Sequence, residues 1–265
     1  MNIEEIASEV SSSISLAKQI EPFSKRGLVL SLQEAYDVAG IVRQKLGQTE
    51  IIGRKIGFTN RNIWNIYNVD QPIWGPITTN SISFFESNFL KIDLSQFCEP
   101  RIEPEIVVCL KQTPKDGSEK TEIYLDWIAP GFEIVDSIYP NWKFSLTDAI
   151  ASGGLHGCLA VGKKFKVNDR TERDLINVGV SLYRGGKLEE EGTGANVLDG
   201  PVSAIRYLHS GLSKIKNQDF LSAGDIITTG TMTDAKPIYP NEKWTAKFDG
   251  VVEAELNLEF LNKLT

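Results

Sequence analysis

The sequence predicts an α+β domain dominated by antiparallel or mixed sheet, led by an amphipathic helical section. Three observations carry this reading. Apolar residues near the N-terminus recur at helical spacing. From about residue 72, short β-type runs alternate with Gly, Pro and Asn turns. No repeat, low-complexity tract or Pro/Ser linker divides the chain. With 265 residues, 41% hydrophobic and 24% charged, a single domain with a substantial core is expected. Residues 1–80 form its mainly helical section and residues 81–265 its β-rich section.

The elements follow in order. Ile3, Ile6, Val10, Ile14 and Leu16 mark a first helix, and Gly27 breaks the pattern. Ser31 stands three before Glu34, a capping-box spacing, and opens a helix carrying Ala35, Val38, Ile41, Val42 and Leu46 on one face. A strand runs from Ile51 through Phe58, and residues 60–67 read as a short helix. Strands are expected at 81–85, 101–110, 122–136, 158–166, 175–184, 225–230 and 244–260, with helices at 143–151 and 195–212. Asp116-Gly117, Gly185-Gly186 and Gly250 are hairpin or loop sites, and Glu189-Glu190-Glu191 reads as a solvated turn before the helix at 195.

Charge and cysteine use narrow the function classes. The 28 basic and 35 acidic residues give −7, and no Lys/Arg stripe forms, which argues against nucleic acid as a partner. The N-terminus has neither a basic nor an apolar leader segment, and no apolar run approaches transmembrane length, so a cytoplasmic, membrane-free protein is expected. Cys98, Cys109 and Cys158 lack CxxC spacing and read as reduced core residues.

The chemistry concentrates in Arg101-Ile-Glu-Pro-Glu-Ile106. In an extended strand, residues two apart project from one face, so Glu103 and Glu105 point into one space. Their charges repel unless a cation lies between them. Glu133 opens another apolar strand in Pro130-Gly-Phe-Glu-Ile-Val-Asp136. Three carboxylates without histidine or thiolate make a hard oxygen site suited to Mg²⁺ or Mn²⁺. The competing reading is a surface glutamate pair and an unrelated third, but all three begin apolar strands, where solvated charges are less expected.

Other segments carry weaker signals. Lys55 sits between two glycines in Gly53-Arg-Lys-Ile-Gly57, placed to hold a substrate carboxylate or, with its pKa lowered by burial, to move a proton; a solvated strand-edge lysine is the alternative. Ser152 and Gly153 belong to a small-residue loop whose backbone N–H groups can face an anion. His156 follows it as either an acid/base or a packed residue, whereas His209 reads as structural. Thr231 and Thr233 exit a glycine-bounded strand toward a ligand. Gly192-Thr-Gly-Ala-Asn-Val197 lacks the third glycine and the preceding buried strand of a dinucleotide fingerprint, so it reads as a helix start capped by Thr193 or Asn196. The GxxxxGK[ST] phosphate loop is absent.

Taken in order, Gly53–Thr59, Val69–Pro72, Arg101–Ile106, Glu133–Ser137, Asn141–Phe144, Gly192–Ala195 with Val197-Leu198, Gly224–Ile227 and Gly230-Thr231 resemble the 2-keto-4-pentenoate hydratase / 4-oxalocrotonate decarboxylase family, within the wider fumarylacetoacetate-hydrolase-like fold. The resemblance spans about residues 20–260. It implies a mixed β-roll with an N-terminal helical section, forming a homo-oligomer that acts in the cytoplasmic breakdown of aromatic ring-cleavage products. It implies that Glu103, Glu105 and Glu133 are ligands of a divalent metal and that Lys55 is the active-site lysine. It also implies that the segments at 152–154 and 225–231 line the substrate. The implied activity is hydration of a small unsaturated 2-oxo acid, with 2-oxo-acid decarboxylation as the alternative and a non-catalytic scaffold as the reading from a different class. The His–Glu pair typical of the hydrolase branch has no counterpart, since no histidine precedes His156. Two segments depart from the family's pattern near expected substrate positions: the loop Gly154–Cys158, and the aromatic Trp64, Tyr67 and Trp74.

Overall fold

A computed structural model describes residues 1–61, 64–67, 69, 71–115 and 121–262. Helix α1 (Ile3–Ser15) starts at a capping box in which the Asn2 side chain accepts from the Glu5 amide and the Glu5 carboxylate accepts from the Asn2 amide. It buries Ile6, Ala7 and Val10, while Leu16, expected on the same face, caps the helix and is exposed. Helix α2 (Leu32–Lys45) starts at the expected box between Ser31 and Glu34. Each box satisfies amides that have no partner within the helix. The apolar stripes of α1 and α2 pack with Phe23, Ile138, Tyr139 and Ala151 into a small core of their own.

Strand β1 (Ile51–Gly57) follows, then α3 (Trp64–Tyr67), β2 (Ile73–Thr78), β3 (Ile82–Phe84) and β4 (Phe89–Asp93). The two longest strands are β5 (Pro100–Leu110) and β6 (Leu125–Asp136). Next come α4 (Leu146–Ala151), β7 (His156–Val161), β8 (Phe165–Lys166), α5 (Thr171–Ile176), β9 (Gly179–Arg184), β10 (Lys187–Thr193) and α6 (Pro201–Leu212). The chain ends with β11 (Ile226–Thr231), β12 (Lys236–Pro237), β13 (Lys243–Phe248) and β14 (Ala254–Leu261). The expected hairpin at Asp116-Gly117, the expected helical residues 62 and 63, and Asp70 lie outside the described residues.

Among the described residues the strands form two mixed sheets. The larger runs β2-β1-β11-β5-β6-β7-β3, with β12 beside β5 and β8 beside β6; the smaller runs β10-β9-β13-β14-β4. The pairs β1–β11, β3–β7 and β4–β14 are parallel, and the other pairs are antiparallel. The section up to residue 80 thus holds the two long helices and also contributes β1 and β2 to the larger sheet. No described helix is long and apolar enough to cross a membrane.

Several local expectations shift. The helix expected from 195 begins at Pro201, preceded by a 3-10 turn at Gly194–Asn196. Proline has no N–H to contribute and is best placed in the first helical turn. Thr193 stands at the N-cap of that 3-10 turn but makes no side-chain capping bond, and Asn196 Nδ2 donates to the Met232 carbonyl at 2.8 Å. Glu189–Glu191 is not a turn but part of β10, paired with β9, and Glu190 reaches Lys236 at 2.5 Å. The strand expected at 175–184 begins only at Gly179, because the six-residue α5 precedes it.

Candidate metal centre

Strand register brings the three glutamates together. β5 and β6 pair antiparallel with Glu103 directly opposite Glu133 and Glu105 opposite Gly131. The side chains at 103, 105 and 133 therefore share one face, which continues as an apolar cluster of Ile77, Val107, Ala129, Leu159 and Val161. One oxygen from each glutamate lies within 4.8 Å of one from each of the others. Glu105 and Glu133 are fully buried, and Glu103 is half-buried at the wall of a cavity of about 390 Å³.

Each buried carboxylate is anchored through one oxygen. Glu105 Oε2 accepts from the Gly230 amide at 2.8 Å and from the Thr228 hydroxyl. The ladder between β11 and β5 slips between Thr228 and Thr231, and this bulge turns the Gly230 N–H toward Glu105. Gly230 has φ +110°, and a Cβ there would collide with the Thr59 side chain, so only glycine fits. Glu133 Oε1 lies 3.3 Å from Lys55 Nζ and 2.8 Å from His156 Nδ1, whose Nε2 lies 3.0 Å from Ser81 Oγ.

The other two oxygens, Glu105 Oε1 and Glu133 Oε2, are buried without a hydrogen-bond partner. Such orphans are rare in folded proteins and costly. A dication bound by the three glutamates satisfies both, and oxygen-only donors suit Mg²⁺ or Mn²⁺. The residues present therefore fit the metal.

The electrostatics agree. Burial pushes the Glu103 carboxyl up to about 7; Lys55 pulls it down and Glu133 pushes it further up. Burial and then the neighbouring Glu133 and Glu103 push Glu105 well above the usual carboxylate range. For Glu133, burial acts upward, but Lys55 and His156 win and hold it below that range. Burial alone lowers the Lys55 pKa, yet the three glutamates together raise it, so Lys55 is an ammonium and not the lowered-pKa base considered from the sequence.

The other residues singled out in the sequence divide. Lys55 and Thr231 line the main cavity, as do Thr233, Phe58, Trp142 and Phe144. His156, Ser152 and Gly153 instead border a separate hollow of about 50 Å³. The Ser152 hydroxyl donates to the Ala149 carbonyl at 3.0 Å, closing the end of α4. The loop residues that do reach the cavity are Gly154 and Leu155, one and two positions further along. Trp74 stacks on Tyr36 with ring centroids 4.4 Å apart, away from the cavity, and the half-buried Trp64 donates its Nε1–H to the Phe58 carbonyl at 2.8 Å. Cys98, Cys109 and Cys158 are free. Arg101 and Lys236 also line the cavity. Sequence reasoning did not single these two out, although Arg101 stands two before Glu103 and so shares its strand face.

Comparison with known proteins agrees with this geometry. No family model matches the chain. It is 31% identical over 191 residues to a 4-oxalocrotonate decarboxylase of a Pseudomonas species, covering 71% of each chain. It is 27% identical over 242 residues to 2-hydroxyhexa-2,4-dienoate hydratase of Comamonas testosteroni, covering 89% of this chain and 88% of that one. Among solved structures, 4-oxalocrotonate decarboxylase from Pseudomonas putida G7, complexed with magnesium and adipate, superposes with a TM-score of 0.87 at 24% identity, covering 98% of this chain and 97% of that one. The same mixed-sheet fold extends to solved fumarylacetoacetate hydrolase family proteins. Sequence identity, coverage and fold agree: the chain belongs to the 2-keto-4-pentenoate hydratase / 4-oxalocrotonate decarboxylase family.

Proposed function

We propose that this protein is a divalent-metal-dependent lyase that hydrates a small unsaturated 2-oxo acid. The observation that carries the reading is the pair of orphaned buried oxygens, Glu105 Oε1 and Glu133 Oε2, in a cluster of three converging carboxylates. Mg²⁺ or Mn²⁺, when bound, supplies a Lewis acid that draws electron density from the ketone of a 2-oxo acid.

The chain's own residues then have distinct roles. Glu103, Glu105 and Glu133 hold the ion. The Lys55 ammonium, buried beside Glu133, offsets part of the glutamates' charge and can attract the substrate carboxylate. Thr231 borders the same space, while Phe58, Trp142 and Phe144 give it apolar walls that exclude bulk water. His156 stands behind Glu133, away from the cavity, and fixes the carboxylate's orientation. Ser152 and Gly153 support the turn that delivers Gly154 and Leu155.

Decarboxylation of a 2-oxo acid is the second reading, favoured by the 31%-identical relative's name. Both reactions require the same electron withdrawal, so the glutamates do not separate them. We also infer a single catalytic domain over residues 1–265, working as a cytoplasmic homo-oligomer; the family's usual organisation and the free thiols support this. Incubation with 2-hydroxypenta-2,4-dienoate and with 4-oxalocrotonate, with and without Mg²⁺, tests the reading. Metal-dependent loss of ultraviolet absorbance without CO₂ release supports the hydratase, and release of CO₂ supports the decarboxylase. No metal-dependent turnover of either compound overturns both.

A further inference from the structure

On β1, Lys55 turns toward Glu133, and successive strand residues point to opposite faces. Arg54 therefore turns the other way, where it lines a hollow of about 70 Å³ between β1 and α2. Tyr36, Ala39, Gly40 and Arg43 stand three and four apart on one face of α2 and line the same hollow. Ala39 and Gly40 are too small to fill it, and a Cβ at Gly40 would meet nothing within 4 Å. The stacked rings of Tyr36 and Trp74 form a further wall. The space suits a few waters or one small ion.

Among the described residues, no carboxylate touches the positive charge of this hollow. Arg54 is only 5% exposed. Its Nη1 donates to the Gly53 carbonyl at 3.0 Å and its Nη2 to the Asp219 carbonyl at 3.4 Å, both neutral acceptors. The half-buried Arg43 donates through Nη1 to the carbonyls of Gln48 and Thr49 at 3.0 and 3.1 Å. Burial disfavours the Arg54 charge and Arg43 disfavours it further, while Asp225 and Asp219 act on it only through space. A buried charge without a partner is costly, and here a second charge of the same sign borders the same space. An oxyanion neutralises both and accepts from the planar forks through paired hydrogen bonds. Gln218 adds an uncharged donor: its Oε1 accepts from Trp74 Nε1 at 3.4 Å, which leaves its NH₂ group to donate.

We propose that the hollow between α2 and the back of β1 is a second binding site, in which Arg43 and Arg54 hold one small oxyanion of the sulfate or phosphate type taken from solution. It lies on the opposite face of β1 from the glutamates and does not depend on how they act.

Calorimetric titration of the full-length, Mg²⁺-loaded protein with sulfate tests it, with chloride at equal ionic strength as the control. Sulfate is expected to bind saturably, one ion per chain, and chloride is not. Arg43→Gln removes one fork, and Arg54→Lys keeps the buried charge but not the fork. Each is expected to weaken sulfate about ten- to hundredfold, the worth of a charge-assisted hydrogen bond. Arg43 does not border the main cavity, so sulfate bound there would survive Arg43→Gln. An unchanged affinity in either variant therefore overturns the proposal. So does a parent protein that binds no sulfate, or binds chloride equally, and this comparison needs no variant. Sedimentation of the same samples distinguishes the source of the anion. Sulfate that binds without changing the size of the particle supports an ion from solution. Sulfate that splits an oligomer as it binds overturns that source, because a neighbouring copy's carboxylate then fills the hollow.

Discussion

Glu103 faces Glu133 directly across the β5–β6 ladder, which sets two carboxylates on neighbouring strands at the same height of one sheet face. Like charges opposite one another in a sheet are destabilising. With Glu105 added from the same face, the arrangement concentrates repulsion that Lys55 offsets only in part. Glu105→Gln keeps the shape of the side chain, and its amide oxygen can still accept from Thr228 and Gly230. The expected result is loss of Mn²⁺ affinity by orders of magnitude in calorimetric titration. The melting temperature of the metal-free protein should be unchanged or raised, because burial and the neighbouring glutamates already resist ionising this side chain and the neutral amide has no proton to lose. A variant that binds Mn²⁺ as tightly as the parent would remove Glu105 from the ligand set.

Lys55→Met tests the opposite sign of charge. It takes away the buried cation that partners Glu133 and leaves that carboxylate with His156 as its remaining partner among the described residues. Removing one member of a buried ion pair typically costs about 3–5 kcal/mol. The metal-free variant should therefore melt well below the parent, and Mg²⁺ should recover much of that loss by replacing the missing charge. Turnover should fall even at saturating Mg²⁺. A variant with parental melting behaviour in the absence of metal would show that Lys55 is not the counter-charge described here.

Proton competition gives the site a pH signature. Burial holds Glu103 at about 7, above its ordinary 4.5, and burial with the neighbouring glutamates pushes Glu105 well above its own ordinary value. A carboxyl raised by folding keeps its proton where the unfolded chain has released one. The folded metal-free protein therefore binds more protons than the unfolded chain between 4.5 and about 7, and its stability falls as pH rises through that window. Glu133, held below its ordinary value, contributes in the opposite sense: its share is present above 4.5 and is lost at lower pH. Bound metal favours the charged carboxylates, so the rise in melting temperature on adding Mg²⁺ should grow from about pH 5 to about pH 8. Paired melts with and without Mg²⁺ across that range decide it, and a rise that shrinks toward alkaline pH would contradict the assignment.

What the sequence revealed and what it hid have physical causes. Side-chain alternation along a strand is local, so Glu103 and Glu105 could be placed on one face from spacing alone. Capping boxes are equally local, and Ser31 with Glu34 stands where the spacing put it. Register between β5 and β6 is not local, and the direct opposition of Glu103 and Glu133 became visible only in the fold. The same holds for the Arg101 guanidinium over the Trp142 ring, which joins residues from β5 and from the turn after β6. The loop at 152–155 shows a finer limit. Gly153, Gly154 and Leu155 all have positive φ, and this tight turn presents Gly154 and Leu155 to the cavity while its first two residues border a different hollow. Small-residue composition identifies such a turn but not which of its residues face the ligand.

His156 offers the last test, because its place behind Glu133 separates positioning from direct chemistry. Glu133 Oε1 is held from two sides, by Lys55 at 3.3 Å and by His156 at 2.8 Å, and Ser81 holds the far side of the imidazole. With His156 replaced by Ala, the carboxylate keeps only the lysine and can rotate, so its free oxygen is no longer aimed at the other glutamates. Losing such an outer partner typically costs about 10–100-fold in metal affinity. The expected result is a weaker Mg²⁺ requirement curve, shifted by that factor, with most of the turnover regained at high Mg²⁺. Ser81→Ala should shift the same curve in the same direction by less, since it acts through the ring. A group that exchanged protons with substrate would give another result: turnover would stay low however much Mg²⁺ was added. A His156→Ala protein with an unshifted Mg²⁺ curve and full turnover would leave the histidine a packing residue.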